Sequence, residues 1–554
     1  MARKFWERMS GAQLIFMVNF IAAWGIFFEG WNQGNMGFVN SAPTYQVKMG
    51  LGAGDGTVNN PTREGGIVAI YYLGATIGGF WGGHVADQYG RVKAVILGAL
   101  FVLLGGSLMA AAENIAWMCC SRVVAGFGVG FFICIIPVWS SEITSARRRG
   151  SHFSLLWCGN FLGIFSAYWV GYGLSFVNGG DSTLRWRLPL ALQVVAPAVM
   201  IPAIWVMPES PRWLMKVGRN DEALKIIAIL RGNGNADHPD VKREYVEIQK
   251  TLEEDKKLAD FDSYWRLATD YKEGGLHYGR RALLAFGIQI LVEVGTGIAL
   301  TTIYAPTVFK QAGFSTAKTG WLSGLNGAMG LVGTVVAAFF CDRFGRRMNL
   351  MVGNALLGTW MWIYAGLSKG AFDHPEHQSS YGAAASSMIL IFTFTLCVFW
   401  MIPCFIYAAE IFPTALRAKG NAFLVGGWGI GVGSGVLWFP IVVEKLGYKT
   451  FYIFGVANYV WIVVIFCFFP ETAGRSLESI DLLFRSNSWF VWRNEKDYER
   501  MAREHEESVA RGLKMLEETG MTGGIVNEKD AEPVQLLEEE SAKIFMQSDV
   551  GEQM

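Results

Sequence analysis

The chain is short of charge. Of its 554 residues only 17% are Asp, Glu, Lys or Arg, against roughly 25% in an average soluble domain. The deficit is uneven. Charge gathers at the N-terminus, in one central block and in the C-terminal tail, and apolar runs of about 20 residues lie between them. Metal-ligand spacing is also missing. The eight cysteines all fall in or beside apolar runs, Cys119, Cys120, Cys134 and Cys341 among them, which is how buried thiols serving as small apolar residues are placed. There is no nucleophile–base pair, phosphate-binding loop or metal cluster, so neither an enzyme nor a cofactor is expected. The basic clusters are short and border apolar runs, which excludes a nucleic-acid surface. No small-residue cleavage site follows the first apolar run, which begins near Leu14 and reads as a first span. Asn60-Pro61-Thr62 fails as a glycosylation sequon because of its proline. Net charge is +0 and says nothing about partners.

What the chain does have is apolar length: 52% hydrophobic and 14% aromatic residues, 66 glycines and a mean hydropathy of +0.29. Glycine suits helices that approach closely in lipid. About twelve segments are long enough to cross a bilayer as helices. They centre near Ala23, Thr76, Leu103, Gly130, Ile164 and Pro197 before the charged block from about Pro208 to Arg281, and near Val292, Gly330, Gly358, Leu396, Val432 and Val460 after it. The expected fold is therefore all-α and polytopic, two six-helix bundles joined by a helical linker, with the lipid bilayer as its surroundings. Boundaries are expected at 1–207, 208–281, 282–485 and 486–554. In the linker, NDEALKIIAILRG and VKREYVEIQKTLEEDKKL carry apolar residues at helical spacing and read as surface helices. The tail is charged, helical at first and disordered near its end.

Lys and Arg set the orientation. Arg3, Lys4, Arg8, Arg91, Lys93, Arg147 to Arg149, Arg343, Arg346, Arg347 and the linker all fall on one side, which is expected to be cytoplasmic together with both termini. Arg185, Arg187, Lys310 and Lys445 on the other side make the bias incomplete.

Three charged motifs occur once in each half. Asp87-Gln88-Tyr89-Gly90-Arg91 matches Asp342-Arg343-Phe344-Gly345-Arg346-Arg347. Glu142 with Arg149-Gly150 matches Glu410 with Arg417 and Gly420. Pro208-Glu209-Ser210-Pro211-Arg212 matches Pro470-Glu471-Thr472-Ala473-Gly474-Arg475. Three pairs in one order indicate parallel structural repeats.

On these motifs, with PESPRWL, DRFGRR, EIFPTALRAKG and PETAGRSLE, the chain resembles the major facilitator superfamily and within it the sugar porters, over roughly residues 15 to 485. The resemblance implies alternating access around a central cavity and movement of a small polar solute, usually a monosaccharide, across what is usually a plasma membrane. Asp87, Arg91, Glu142, Arg149, Asp342, Arg346, Glu410 and Arg417 then form a cytoplasmic gate of ion pairs across the two bundles, each worth about 1 kcal/mol at a wet surface. The plainer alternative is that they fix topology, which is the reading for Arg147 and Arg148.

The cavity departs from the family's pattern. Gly30-Trp31-Asn32 stands where Gly-Tyr-Asp is usual, and Asn32 cannot carry a proton, which argues for facilitated diffusion. Glu29, about one turn earlier, with Arg122 at the family's fourth-span arginine, is either a displaced proton site or a structural pair. Trp157 replaces a glutamine, with Asn160 a turn further on. Glu293 falls at a glutamine pair, where it binds solute or carries a proton, and Gln289 precedes it on the same face. Phe405 stands for a tryptophan, and Trp428 lies in a run without asparagine. Hydroxyl contacts are worth about 0.5–1.5 kcal/mol each, so losing several leaves stacking on Trp31, Trp157, Phe405 and Trp428, or a less polar solute. Each aromatic can equally be packing. The readings in order are a monosaccharide or polyol carrier, by facilitated diffusion or proton symport; a carrier of a non-sugar metabolite such as an organic acid or exported product; and a non-transporting sensor.

Overall fold

The computed structural model describes residues 5–54, 58–144, 149–177, 182–257, 263–271, 275–314, 316–340, 343–413, 416–473, 475, 477–501 and 503. The chain forms two compact units. One holds Met1–Lys272 and His277–Gly474; the other holds Glu273–Leu276 and Arg475–Met554.

The first unit contains all the long apolar helices. Among the described residues, ten helices are long and apolar enough to cross a membrane. They give spans 1 (Gly11–Asn40), 3 (Arg91–Ala110), 4 (Ile115–Ile143), 5 (Phe153–Leu174), 6 (Leu184–Trp205), 8 (Lys318–Phe340), 9 (Arg346–Asp373), 10 (Pro375–Glu410), 11 (Lys419–Leu446) and 12 (Lys449–Phe468). Span 2 (Pro61–Tyr89) is as long but diluted by glycine. Span 7 is broken: a helix Tyr278–Ile290 widens into a π-helical turn Leu291–Thr296, stops at Gly297, and resumes as Ile298–Thr302. Twelve segments in an all-helical chain are the fold the sequence predicts.

Local chemistry sets the helix ends. Ser10 and Gln13 form a reciprocal capping box at span 1. Asn60 and Asn114 cap spans 2 and 4 by accepting the backbone N–H groups of Arg63 and Trp117 at 3.1 and 2.9 Å. The turns into spans 3 and 9 each need a glycine, since Gly90 and Gly345 have φ of 99° and 76°.

Span 1 packs on span 5, and span 2 on span 4; the first six spans meet the last six along span 2 against span 11 and span 5 against span 8. Small residues permit this. A Cβ on Gly30 would lie 1.8 Å from the carbonyl oxygen of Asn160. The seam between spans 2 and 11 is closed at both ends, by Gly65 against the Leu437 backbone and by Phe80 against Phe423. The linker carries the two expected amphipathic helices, Asn220–Gly232 and Pro239–Lys257.

The second unit holds a helix Leu477–Phe484 and a further helical stretch over 491–501. Arg475 meets Glu495 at 2.6 Å and lies over the Tyr498 ring. The rest of the tail lies outside the described residues.

Candidate functional site

Most side chains in the middle of the spans are apolar, so the polar exceptions stand out. On span 1, Glu29 is 1% exposed. Its Oε2 accepts the Tyr71 hydroxyl of span 2 at 2.8 Å and its Oε1 accepts the Gln33 amide at 3.1 Å. Arg122 of span 4 makes no ion pair with Glu29. Its guanidinium lies over the Tyr71 ring, 4.9 Å from the centroid, and donates to the Val68 carbonyl at 3.3 Å. Tyr71 thus stands between acid and base, where the sequence suggests a direct pair.

Glu293 sits on the π-helical turn of span 7 and is 6% exposed. Its Cβ lies where span 11 has Gly431, 2.9 Å from the position a Cβ there would take. One turn earlier, Gln289 donates to the Cys404 sulfur of span 10 at 3.0 Å. Span 11 also brings Gly433 against the Cβ of Tyr72 and Trp428 against its ring, with centroids 5.4 Å apart. Tyr71 and Tyr72 meet edge to face. Glu29, Tyr71, Tyr72, Trp428 and Glu293 therefore converge at the junction of spans 1, 2, 7 and 11.

The remaining candidates divide. Trp157 of span 5 and Phe405 of span 10 come together across the seam, centroids 4.3 Å apart, so each packs on the other. Asn160 is fully buried beside Gly30, and its amide has no hydrogen-bond partner among the described residues. Trp31 and Asn32 turn instead to span 6: the indole donates to the Pro189 carbonyl at 3.1 Å, and Asn32 donates to the Gln193 side chain at 3.3 Å. The face of span 1 toward the junction is that of Glu29 and Gln33. Sequence reasoning missed Gln33, Tyr71 and Tyr72. The available signals were the four-residue step from Glu29 to Gln33 and a tyrosine pair in the middle of a span.

At the charged end, Arg91 makes two hydrogen bonds to Glu142, at 3.2 and 3.3 Å, and one to Asp87 at 3.2 Å. Glu209 accepts the backbone N–H groups of Arg91 and Val92 at 2.9 and 3.1 Å. The second half repeats this. Arg346 meets Glu410 at 2.8 Å, and Glu471 accepts from the backbone of Arg346 and Arg347 at 2.9 and 3.0 Å. Arg417 donates to the Ala409 carbonyl. These pairs join residues of the same half, whereas the sequence suggests pairing across halves; a repeated motif implies a repeated local fold before it implies a contact between repeats. Across the seam at this end, Asn421 donates to the Cys134 carbonyl at 2.8 Å, and Tyr264 of the linker sits against both Phe80 and Phe423. Asp342 and the side chain of Arg149 lie outside the described residues.

The family model for the sugar (and other) transporter matches residues 18–484. Among curated proteins, the MFS-type transporter criB of Aspergillus cristatus is 32% identical, over 76% of this chain and 84% of its own. The high-affinity glucose transporter of Kluyveromyces lactis is 26% identical, over 87% of each chain. Among solved structures, the proton:xylose symporter XylE bound to 6-bromo-6-deoxy-D-glucose superposes with a TM-score of 0.70 at 23% identity, covering 86% of this chain and all of that one. A partially occluded inward-open form of XylE from E. coli gives 0.67 at 20% identity, covering 84% of this chain. At that identity the likeness is one of fold.

Proposed function

The chain belongs to the sugar (and other) transporter family, and on that premise we propose that it moves a monosaccharide or related polyol across the plasma membrane by alternating access, by facilitated diffusion or proton symport. The protein is a multi-pass membrane protein. In this reading residues 1–207 and 282–485 are the two moving bundles, 208–281 the cytoplasmic linker and 486–554 the cytoplasmic tail. No chemical step on the solute is part of it.

The observation that carries the reading is the buried polar cluster of Glu29, Tyr71, Tyr72 and Glu293 at the seam between halves, walled by Trp428. Polar groups in that position are costly unless a solute or proton uses them. Tyrosine hydroxyls and carboxyl oxygens bind sugar hydroxyls, and Trp428 offers a ring face. The broken span 7 has the form of a gating helix, since the left-handed Gly297 divides it beside the cluster. The same-half pairs Arg91–Glu142 and Arg346–Glu410 make each half's charged end rigid, and the Asn421–Cys134 bond with the Tyr264 contacts is what must part for that end to open.

A second reading, a less polar metabolite, is favoured by one feature: Trp157 and Phe405 close an apolar ring contact across the seam where the family usually has a glutamine and a tryptophan. The test is uptake of labelled glucose with external pH recording in cells lacking their own hexose carriers. Uptake supports the sugar reading, and an accompanying alkalinisation supports symport. A protein present at the surface without uptake overturns the sugar reading in favour of the second.

A further inference from the structure

The two acids at the junction have opposite surroundings. Glu29 is hydrogen-bonded on both oxygens, by the Tyr71 hydroxyl on one and the Gln33 amide on the other, and the Arg122 guanidinium lies behind the Tyr71 ring without bonding to it. Both oxygens accept, as they do in an ionised carboxylate. Glu293 has the reverse. It is buried too, at 6% exposure against 1% for Glu29, and among the described residues no hydrogen bond or ion pair reaches its side chain. One turn earlier on its own helix, Gln289 directs an amide hydrogen to Cys404, and no hydrogen bond among the described residues joins it to Glu293. Span 11 brings Gly431 and Trp428, neither ionisable. The titratable groups facing it are Glu29 from span 1, Tyr72 from span 2 and Cys404 from span 10, and none of these carries a positive charge. A bare carboxylate there would face a second anion with no counter-charge.

We propose that Glu293, and not the acid of span 1, is the group that takes up and releases the coupled proton, while Glu29 stays an anion that fixes Tyr71 and Arg122. The step is a simple transfer. The Glu293 carboxylate takes a proton from water on one side, becoming a neutral carboxyl that can donate to a solute hydroxyl. After the halves reorient, that proton passes to water on the other side and the carboxylate is restored. Its place on the π-helical turn, beside the break at Gly297, puts the charge change on the segment whose bending opens and closes the cavity. Neutralising Glu293 also removes its repulsion from Glu29 across the seam, so the protonated form favours the closed junction seen here. This rests on the transport reading for its purpose, but not for its test.

The test uses the full-length protein in lipid vesicles. Without solute, infrared difference spectra between acid and alkaline buffer report the protonated-carboxyl stretch. The expected result is a titrating band lost in Glu293→Gln, kept but shifted in Glu293→Asp, and kept in Glu29→Gln. A band that survives Glu293→Gln, or that disappears only with Glu29→Gln, overturns the assignment. With labelled glucose as probe, Glu293→Gln is expected to lose glucose-driven proton entry, read as protons moved per glucose moved and not as the rate of uptake. Proton entry persisting in that variant overturns the proposal. Absence of glucose exchange in the unaltered protein counts against the sugar reading alone, and the infrared band then decides the proton assignment.

Discussion

Arg91 grips Glu142 with two guanidinium nitrogens, Nε to Oε2 at 3.2 Å and Nη2 to Oε1 at 3.3 Å. This fork ties the start of span 3 to the end of span 4. The backbone of Arg91 is held at the same time by Glu209 from beyond span 6, so one residue joins three segments. Hydrogen bonds to charged groups are worth about 1.5–3 kcal/mol each. Glu142→Gln keeps the shape and removes the charge. It is expected to destabilise the purified protein by about 2 kcal/mol, read as a lower melting temperature, with Glu410→Gln behaving alike because it breaks the equivalent contact with Arg346. If only one of the two variants melts early, the halves are not mechanically equivalent.

Gly30→Ala would place a methyl group 1.8 Å from the Asn160 carbonyl oxygen, which is backbone and cannot rotate away. Spans 1 and 5 must separate to admit it, at a cost of about 1–3 kcal/mol or more. Gly66→Ala is the control, because nothing lies within 4 Å of its added carbon. Thermal unfolding in detergent should show a large loss for the first and little change for the second. Equal behaviour would mean that the close approach of spans 1 and 5 is wrong.

Tyr264 hydrogen-bonds the Phe80 carbonyl at 3.2 Å and packs its ring on Phe80 from the first half and Phe423 from the second. Aromatic contacts of this kind contribute about 0.5–1.5 kcal/mol, enough to bias an opening equilibrium severalfold. Tyr264→Ala should speed labelling of the buried Cys134 by a small water-soluble thiol reagent, since the Cys134 backbone accepts the neighbouring cross-seam bond from Asn421. An unchanged labelling rate would show that the linker tyrosine does not restrain the seam.

Glu113, in the loop between spans 3 and 4, is bonded by Lys48 and by Arg187. The Lys48 bond first, and the Arg187 bond second, hold its carboxyl below the usual carboxylate range. Its contribution to stability is therefore present above the ordinary glutamate value of about 4.3 and is lost as pH falls through the lower folded value. Melting temperature should fall with pH in that acid window for the unaltered protein and fall less steeply for Glu113→Gln. Screening by solvent makes the difference small, and added salt should narrow it further. Identical profiles would show that the pairs contribute nothing.

The fold was legible because the signals for it are long. Apolar runs such as Ile115–Ile143 and Gln378–Leu396 announce themselves by length, and DQYGR with DRFGRR announces the repeat by order. The family followed from PESPRWL and PETAGRSLE. Orientation within each span was not legible. A helix apolar on all sides gives no periodic cue to which face looks inward. Trp31 and Asn32 accordingly looked like cavity residues by position, whereas the structure commits them to Pro189 and Gln193 and turns Glu29 and Gln33 to the junction.

By itself the sequence determined that this chain crosses a membrane about twelve times, in two related halves, with charged hinges between spans. Burial length and turn chemistry are local properties, and a sequence states them directly. Only the tertiary structure decided which acid is hydrogen-bonded and which, among the described residues, is not, that Tyr71 stands between Glu29 and Arg122, and that the Arg–Glu forks close within halves. Those depend on how near two backbones come, and that distance is set jointly by glycines such as Gly30 and Gly431 and by the residues of other spans that fill the space they leave.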